Sequence, residues 1–515
     1  MSLARPIATV GAYTLLSRVL GFVRDMLIAA YLGAGPVADA FFVAFKFPNF
    51  FRRLFAEGAF AAAFVPMFAG TVATKSKAAA REFAEEALAV LLVALFALVV
   101  ACEFAMPWIL RVVAPGFADE PTRFTLAVEF TRITFPYLLF ISLVSLQGGV
   151  LNSLDKFAAV AATPILLNLC MIGALLGLVG RVPTAGHAAS WGVLAAGLAQ
   201  FLFLAYACSR ADMALRLRWP RLSDNAKTLL KRMAPVALGS GAVQINLVID
   251  VMLASLLAAG SISWLYYADR VYELPLAVIG IAIGTALLPL MSKQVRSGDE
   301  AAALATQNRA LEAAGLLTLP ATAALVVLAE PIVAGLFERG AFAAADVAAT
   351  AAALIAYTVG LPAYVAVKVL APAFYAREDT KTPVKIAVLC VALNSIVGFV
   401  SMQFVGHVGL ALATALSATL NALLLLRALA ARGQFAASAR LRQRLPRQLA
   451  ATAAMALGLW LALQAASPFM AEPGILRLFA LAGLIALGLV LYAAAAWACG
   501  AADRADLRAL LSRRT

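Results

Sequence analysis

Arg18, Arg24 and Asp25 stand inside the first apolar stretch of a 515-residue chain, and Asp39, Lys46, Arg52, Arg53 and Glu57 stand inside the second. Asp269, Arg270 and Glu273 interrupt a third, near the middle. Helical spacing groups these side chains. Arg18 and Asp25 are seven apart, and Ser17 and Arg24 share the neighbouring face. Asp39, Lys46 and Arg53 recur at sevens, while Asp269 and Glu273 form an i,i+4 pair with Arg270 beside them. Arginine stays charged in any surroundings, and its planar fork meets two phosphate oxygens at once. Three chemistries fit such a set: interhelical ion pairs, a proton or ion relay, or capture of an anionic headgroup. Burying many charges is a poor way to stabilise a fold. The first two stretches also carry a basic surplus, with Arg18, Arg24, Lys46, Arg52 and Arg53 set against Asp25, Asp39 and Glu57. A diphosphate would supply the missing negative charge.

The elements that must hold these residues are membrane helices. Hydrophobic residues make up 63% of the chain and charged residues 13%, against about a quarter charged in soluble domains. Apolar runs such as 87–101, 166–180, 193–207 and 479–498 recur from end to end. They are too continuous for barrel strands, and a span needs about 20 apolar residues. The expected fold is an all-α polytopic membrane protein with about 14 transmembrane helices. Its first span is retained rather than cleaved as a signal, since Arg18, Arg24 and Asp25 break the run. Those three residues cost roughly 8–10 kcal/mol on the insertion scale, while the apolar residues of that span return about 3–7 kcal/mol. Span 1 therefore requires partners or a water-filled cavity.

Lysines and arginines gather in alternate loops, densest in 210–232 and 427–447. Placing both termini in the cytoplasm leaves only Arg111, Arg123, Arg181, Arg339 and Arg477 on the outer side. The net charge of +14 then reflects topology and attraction to anionic lipid, and no soluble basic face offers itself to nucleic acid. Segment 210–232 has the mixed character of a stretch lying on the membrane. The two histidines, His187 and His407, and the five cysteines lack metal-ligand spacing. A phosphate-binding loop for ATP is absent from the sequence. A membrane glycosyl- or phosphotransferase would need carboxylates arranged for Mg²⁺. Asp155 and Glu378–Asp379 come nearest, and ordinary loop charges explain them more simply.

The chain reads as doubled. Phe45-Lys46-Phe47-Pro48 and Phe64-Val65-Pro66-Met67 in span 2 match Tyr272-Glu273-Leu274-Pro275 and Leu287-Leu288-Pro289-Leu290 in span 8. Asp155-Lys156 with Thr163-Pro164 after span 4 matches Glu378-Asp379 with Thr382-Pro383 after span 10. Repeats with proline-interrupted helices point to a midplane substrate site. The division expected is 1–210 as an N-terminal lobe of six helices, 211–432 as a C-terminal lobe of six, and 433–515 as two further helices with a tail.

The segment Ser17-Arg18-Val19-Leu20-Gly21-Phe22-Val23-Arg24-Asp25, then Ala38-Asp39-Ala40-Phe41-Phe42 through Lys46-Phe47-Pro48-Asn49, and Arg52-Arg53-Leu54-Phe55-Ala56-Glu57-Gly58, resembles the MurJ/MviN lipid II flippases of the multidrug/oligosaccharidyl-lipid/polysaccharide exporter superfamily. Tyr267-Ala268-Asp269-Arg270 extends the resemblance. It implies two six-helix lobes forming a V around a cationic central cavity, with spans 13 and 14 lining a hydrophobic groove. It also implies Arg18, Arg24, Arg52 and Arg270 as headgroup ligands, joined by Arg53 and Ser17. Asp25, Asp39, Lys46, Glu57, Asp269 and Glu273 then balance charge or gate. The implied activity is outward flipping of lipid II by alternating access in the bacterial inner membrane, with cell-wall synthesis proteins as partners. A multidrug or other polysaccharide-lipid exporter of the same superfamily is the alternative. No cofactor is expected, and either membrane potential or a monovalent cation is left as the coupling. Some relatives bind sodium, for which Asp250, Asn394 and Thr414 are weak counterparts. Gly398 supplies no carboxylate where that pattern wants one.

Overall fold

Apolar runs that satisfy their own backbone hydrogen bonds, cut by proline, glycine and charge, dictate a chain of helices. The computed structural model describes residues 4–53, 60–221, 223–470 and 474–503. In order, the helices are α1 Ala4–Leu32, α2 Pro36–Phe51, α3 Ala61–Thr74, α4 Lys77–Val113, α5 Pro121–Thr134, α6 Tyr137–Asn152, α7 Phe157–Leu178, α8 Ala185–Arg210 and α9 Asp224–Ser255. There follow α10 Ser261–Arg296, α11 Glu300–Val327, α12 Ala329–Phe337, α13 Ala344–Val359, α14 Leu361–Tyr375, α15 Lys381–Val405, α16 His407–Ala431, α17 Ala439–Met470 and α18 Ile475–Ala498. All long elements among the described residues are helical. Ten, counting α5–α6 and α13–α14 each as one, are long and apolar enough to cross a membrane. The expected spans 1, 2, 7 and 8 are helical as well but fall outside those ten.

Two compact units arise by contact. The first is Met1–Ser263 with Gly340–Phe342, and the second is Trp264–Arg339 with Ala343–Thr515. In the first, α1 packs on α7, α7 on α8, α2 on α5, and α9 on α4. In the second, α15 packs on α16, α14 and α13 on α16, and α17 on both α11 and α18. These packing units divide the chain elsewhere than at residue 210, because α9 lies against α4, and they group 433–515 with the second unit. A division by repeat and a division by packing are different things.

The doubling shows in the backbone. Span 4 breaks between α5 and α6 at Phe135–Pro136, and span 10 breaks between α13 and α14 at Gly360. Both then end alike. Asp155 (φ 58°) and Glu378 (φ 62°) take the left-handed conformation, and the following amides reach back five residues, Lys156 to Leu151 O at 2.9 Å and Asp379 to Phe374 O at 3.0 Å. This is the helix-ending motif in which a left-handed residue lets the next amide satisfy an orphan carbonyl. α8 and α16 form a second matching pair, with Asp212 (φ 58°) and Gly433 (φ 68°) in the left-handed position. Met213 N meets Cys208 O and Gln434 N meets Leu429 O, each at 2.9 Å. In the matched span 8, α10 runs unbroken through Pro275 and Pro289.

Beyond the α14 end, the Asp379 carboxylate accepts from Thr382 N at 3.0 Å and pairs with Arg432 at 2.7 Å. Hydrogen bonds from Thr382 and Arg432 hold it well below the usual carboxylate range.

A side chain at a left-handed position strains the backbone, and glycine removes that strain. Glu378 is exposed, so Glu378→Gly is expected to raise stability by under about 1 kcal/mol, whereas Glu378→Val lowers it by about 1–2 kcal/mol. Thermal unfolding in detergent reads both. Equal melting of the two variants would remove the strain argument.

Candidate functional site

α1 holds its charges in two settings. The Arg18 side chain is exposed, while Arg24 and Asp25 are buried. Arg24 donates from Nε and Nη2 to Asp25 Oδ1 at 3.0 and 2.7 Å, and from Nη1 to Asn168 Oδ1 at 3.0 Å. The Asn168 amide donates in turn to Ser17 O at 2.9 Å. Asn168, on α7, thus spans two turns of α1 and fixes where the guanidinium sits. Phe45 of α2 lies 5.8 Å from the guanidinium carbon, within reach of a cation–π interaction. It is the backbone carbonyl of Ser17, rather than its hydroxyl, that joins this network. Asn168 escaped the sequence reading, although an amide in an otherwise apolar run is a signal that could have found it.

Asp39, expected to balance the arginines of spans 1 and 2, serves a different partner. Its side chain is fully buried against Arg123 of α5, with Nη2 at 2.7 Å from Oδ2. Three further donors converge on it: Gly260 N at 2.7 Å, Ser263 N at 2.8 Å and the Ser263 hydroxyl at 2.6 Å. Arg123 also covers the Phe117 ring at 4.0 Å. Arg123, counted among the outer-side cations, is thus fully buried. It is the central cation of an internal lock. The end of α1 meets a distant strip of chain, where Ala341 N donates to Ala30 O at 2.8 Å. Gly33 and Gly340 both have positive φ there, and a Cβ on Gly340 would fall 2.2 Å from Ala30 O.

The remaining candidates divide between the units. Lys46 and Arg53 are exposed, so the seven-residue stripe with Asp39 joins a buried residue to two exposed ones. Arg52 donates to Asn49 Oδ1 at 3.2 Å, and Asn49 caps Phe45 O at 2.8 Å. Glu57 lies outside the described residues. In the second unit Arg270 pairs with Glu273 at 3.3 Å and lies over Tyr266 at 4.9 Å, with Asp269 half-buried alongside. Of the cation-site residues, Asp250 accepts from Asn246 at 3.1 Å in the first unit. Asn394 is buried, and Thr414 donates to Leu410 O at 3.0 Å, in the second. Arg444 and Arg477, read as surface charges by topology, are buried in ion pairs with Glu312 and Glu338. Loop position alone could not reveal partners so far away in sequence.

Comparison with known proteins places this geometry. Residues 28–479 match the family model "Lipid II flippase MurJ". The "Probable lipid II flippase MurJ" of Rhizobium meliloti (strain 1021) is 44% identical, over 100% of this chain and 97% of its own. The "Lipid II flippase MurJ" of Burkholderia cenocepacia is 39% identical over 84% of this chain and 85% of its own. Among solved structures, "Lipid II flippase MurJ, inward closed conformation" aligns with a TM-score of 0.76 at 26% identity, covering 95% of this chain and 97% of that one. An inward-facing multidrug resistance transporter of the MATE family shares the fold at 16% identity with a TM-score of 0.68, over 82% of this chain and 97% of its own.

Removing one partner of a buried, hydrogen-bonded ion pair leaves the other uncompensated, at about 3–5 kcal/mol. Asp39→Ala is therefore expected to lower the melting temperature in detergent sharply. The double variant Asp39→Leu with Arg123→Met is expected to recover much of the loss. A double variant no more stable than Asp39→Ala would show that the pair's charge is not what the site needs.

Proposed function

The chain belongs to the lipid II flippase MurJ family, and from that premise we propose that it carries lipid II from the cytoplasmic to the outer leaflet of the inner membrane for cell-wall synthesis. It is a multi-pass membrane transporter. The observation that carries the reading is the assignment of Asp39 to Arg123. With that acid committed elsewhere, spans 1 and 2 set Arg18, Arg24, Lys46, Arg52 and Arg53 against Asp25 and Glu57 in sequence. A diphosphate is the counter-charge such a surplus suits, because arginine forks bind its oxygens bidentately. Arg24, preset by Asp25 and Asn168, meets such a ligand with little ordering cost. In the second unit, Arg270 lies over Tyr266 and pairs with Glu273.

Flipping then consists of exposing these groups alternately to the two sides, with both termini cytoplasmic. The membrane potential acts on any charge that crosses, by about 2.3 kcal/mol per charge per 100 mV. It is the coupling that requires no dedicated ion site, and a monovalent cation near Asp250, Asn394 and Thr414 is the other. The lipid itself stays chemically unchanged.

Cells depleted of their own flippase and complemented with Arg24→Ala or Arg270→Ala are expected to lose outward appearance of lipid II while retaining the protein in the membrane. Normal flipping by both variants would overturn the headgroup assignment. Asn168→Leu is expected to weaken flipping less than Arg24→Ala, since it loosens the guanidinium without removing it.

A further inference from the structure

The linker between α8 and α9 is a strap pinned at defined points. Residues 213–221 have no helix or strand, yet three contacts from the strap and one from Ser223 just beyond it reach the first turns of α4. Arg216 N donates to Glu85 Oε1 at 3.0 Å, and Arg218 Nε meets Glu85 Oε2 at 2.6 Å. Arg218 Nη1 meets Glu82 at 2.8 Å, and the Ser223 hydroxyl meets Glu86 at 2.6 Å. At its start Met213 is buried. Leu217 and Trp219 stand out from the strap, 69% and 84% exposed.

A tryptophan held this far out by a pinned backbone is not loose packing. Both ends of the strap are ends of helices, one of them the apolar α8, so the strap lies within a few residues of the bilayer surface. Tryptophan favours that boundary, its ring amphipathic enough for the headgroup level. The charge agrees: residues 210–232 carry Arg210, Arg216, Arg218, Arg221, Lys227, Lys231 and Arg232 against Asp212 and Asp224. Arg210, Arg216 and Arg221 are exposed around the two apolar side chains.

We propose that the 213–221 strap is an interfacial anchor, with Leu217 and Trp219 inserted among lipid headgroups and Arg216 and Arg221 bound to anionic ones. This goes beyond transport: it assigns a standing lipid contact outside the substrate path. The occupant is lipid rather than a soluble protein, because the strap's position at the helix ends and its basic charge match an anionic bilayer surface.

The test uses the full chain in phosphatidylcholine/phosphatidylglycerol vesicles carrying a brominated version of one lipid or the other. Both leaflets have the same composition, so the outcome is independent of which way the chain faces. The emission of Trp219 is taken as the difference between the chain and Trp219→Phe. Expected is loss of that emission with either brominated lipid, greater with brominated phosphatidylglycerol. The excess should disappear in Arg216→Gln with Arg221→Gln. Emission quenched by aqueous iodide and untouched by both brominated lipids would overturn the anchor, leaving a soluble partner as the occupant. An excess that survives the double variant would overturn the headgroup contact.

Discussion

One buried carboxylate organises much of the first unit. Asp39 gathers a guanidinium, two backbone amides and a hydroxyl from chain positions as distant as 123, 260 and 263. A desolvated charge tolerates few arrangements: it must be paired and its remaining lone pairs satisfied, or the site is lost. Here those conditions tie α2 to α5 and to the first turn of α10. A hydrophobic contact would permit sliding by fractions of an ångström, whereas four converging donor–acceptor directions do not.

The two intramembrane arginines of this unit illustrate two uses of one side chain. Arg123 is enclosed by Asp39, Glu120, the Phe117 ring and the Leu257 carbonyl, and contributes to architecture. Arg24 is oriented by Asp25 and Asn168, with Phe45 at its flank. Sequence type does not distinguish them, and the difference lies in how many acceptors the fold brings to each.

Much of this was legible in the sequence. Hydropathy gave the helical class, proline placement and loop motifs gave the doubling, and the Ser17–Asp25 signature gave the family. The left-handed Asp155 and Glu378 show why the loop motifs matched, for each ends a helix by the same geometry. Other features were hidden because they depend on pairing at long range. Arg123, Arg444 and Arg477 look like loop cations until Asp39, Glu312 and Glu338 meet them, more than eighty residues apart in chain. Asn168 looks like a polar blemish until it bridges Ser17 and Arg24. Periodicity sees neighbours three to seven residues away, and these partners lie outside its range.

Glu312 carries a further consequence, for the order in which the chain is made. Its carboxylate, on α11, is neutralised by Arg440 and Arg444 of α17, whose amide neighbour Gln448 also donates to its carbonyl at 3.1 Å. Synthesis runs from the amino end, so α11 is complete long before its cations exist. The interval from Glu312 to Arg444 is 132 residues, roughly 7–26 s of elongation at about 5–20 residues per second. Throughout it, α11 must wait with an unneutralised acid, shielded by water or the insertion machinery. The last two helices thus close an account opened by α11, and a ribosome that stops short of residue 440 leaves behind a half-inserted protein marked by that acid.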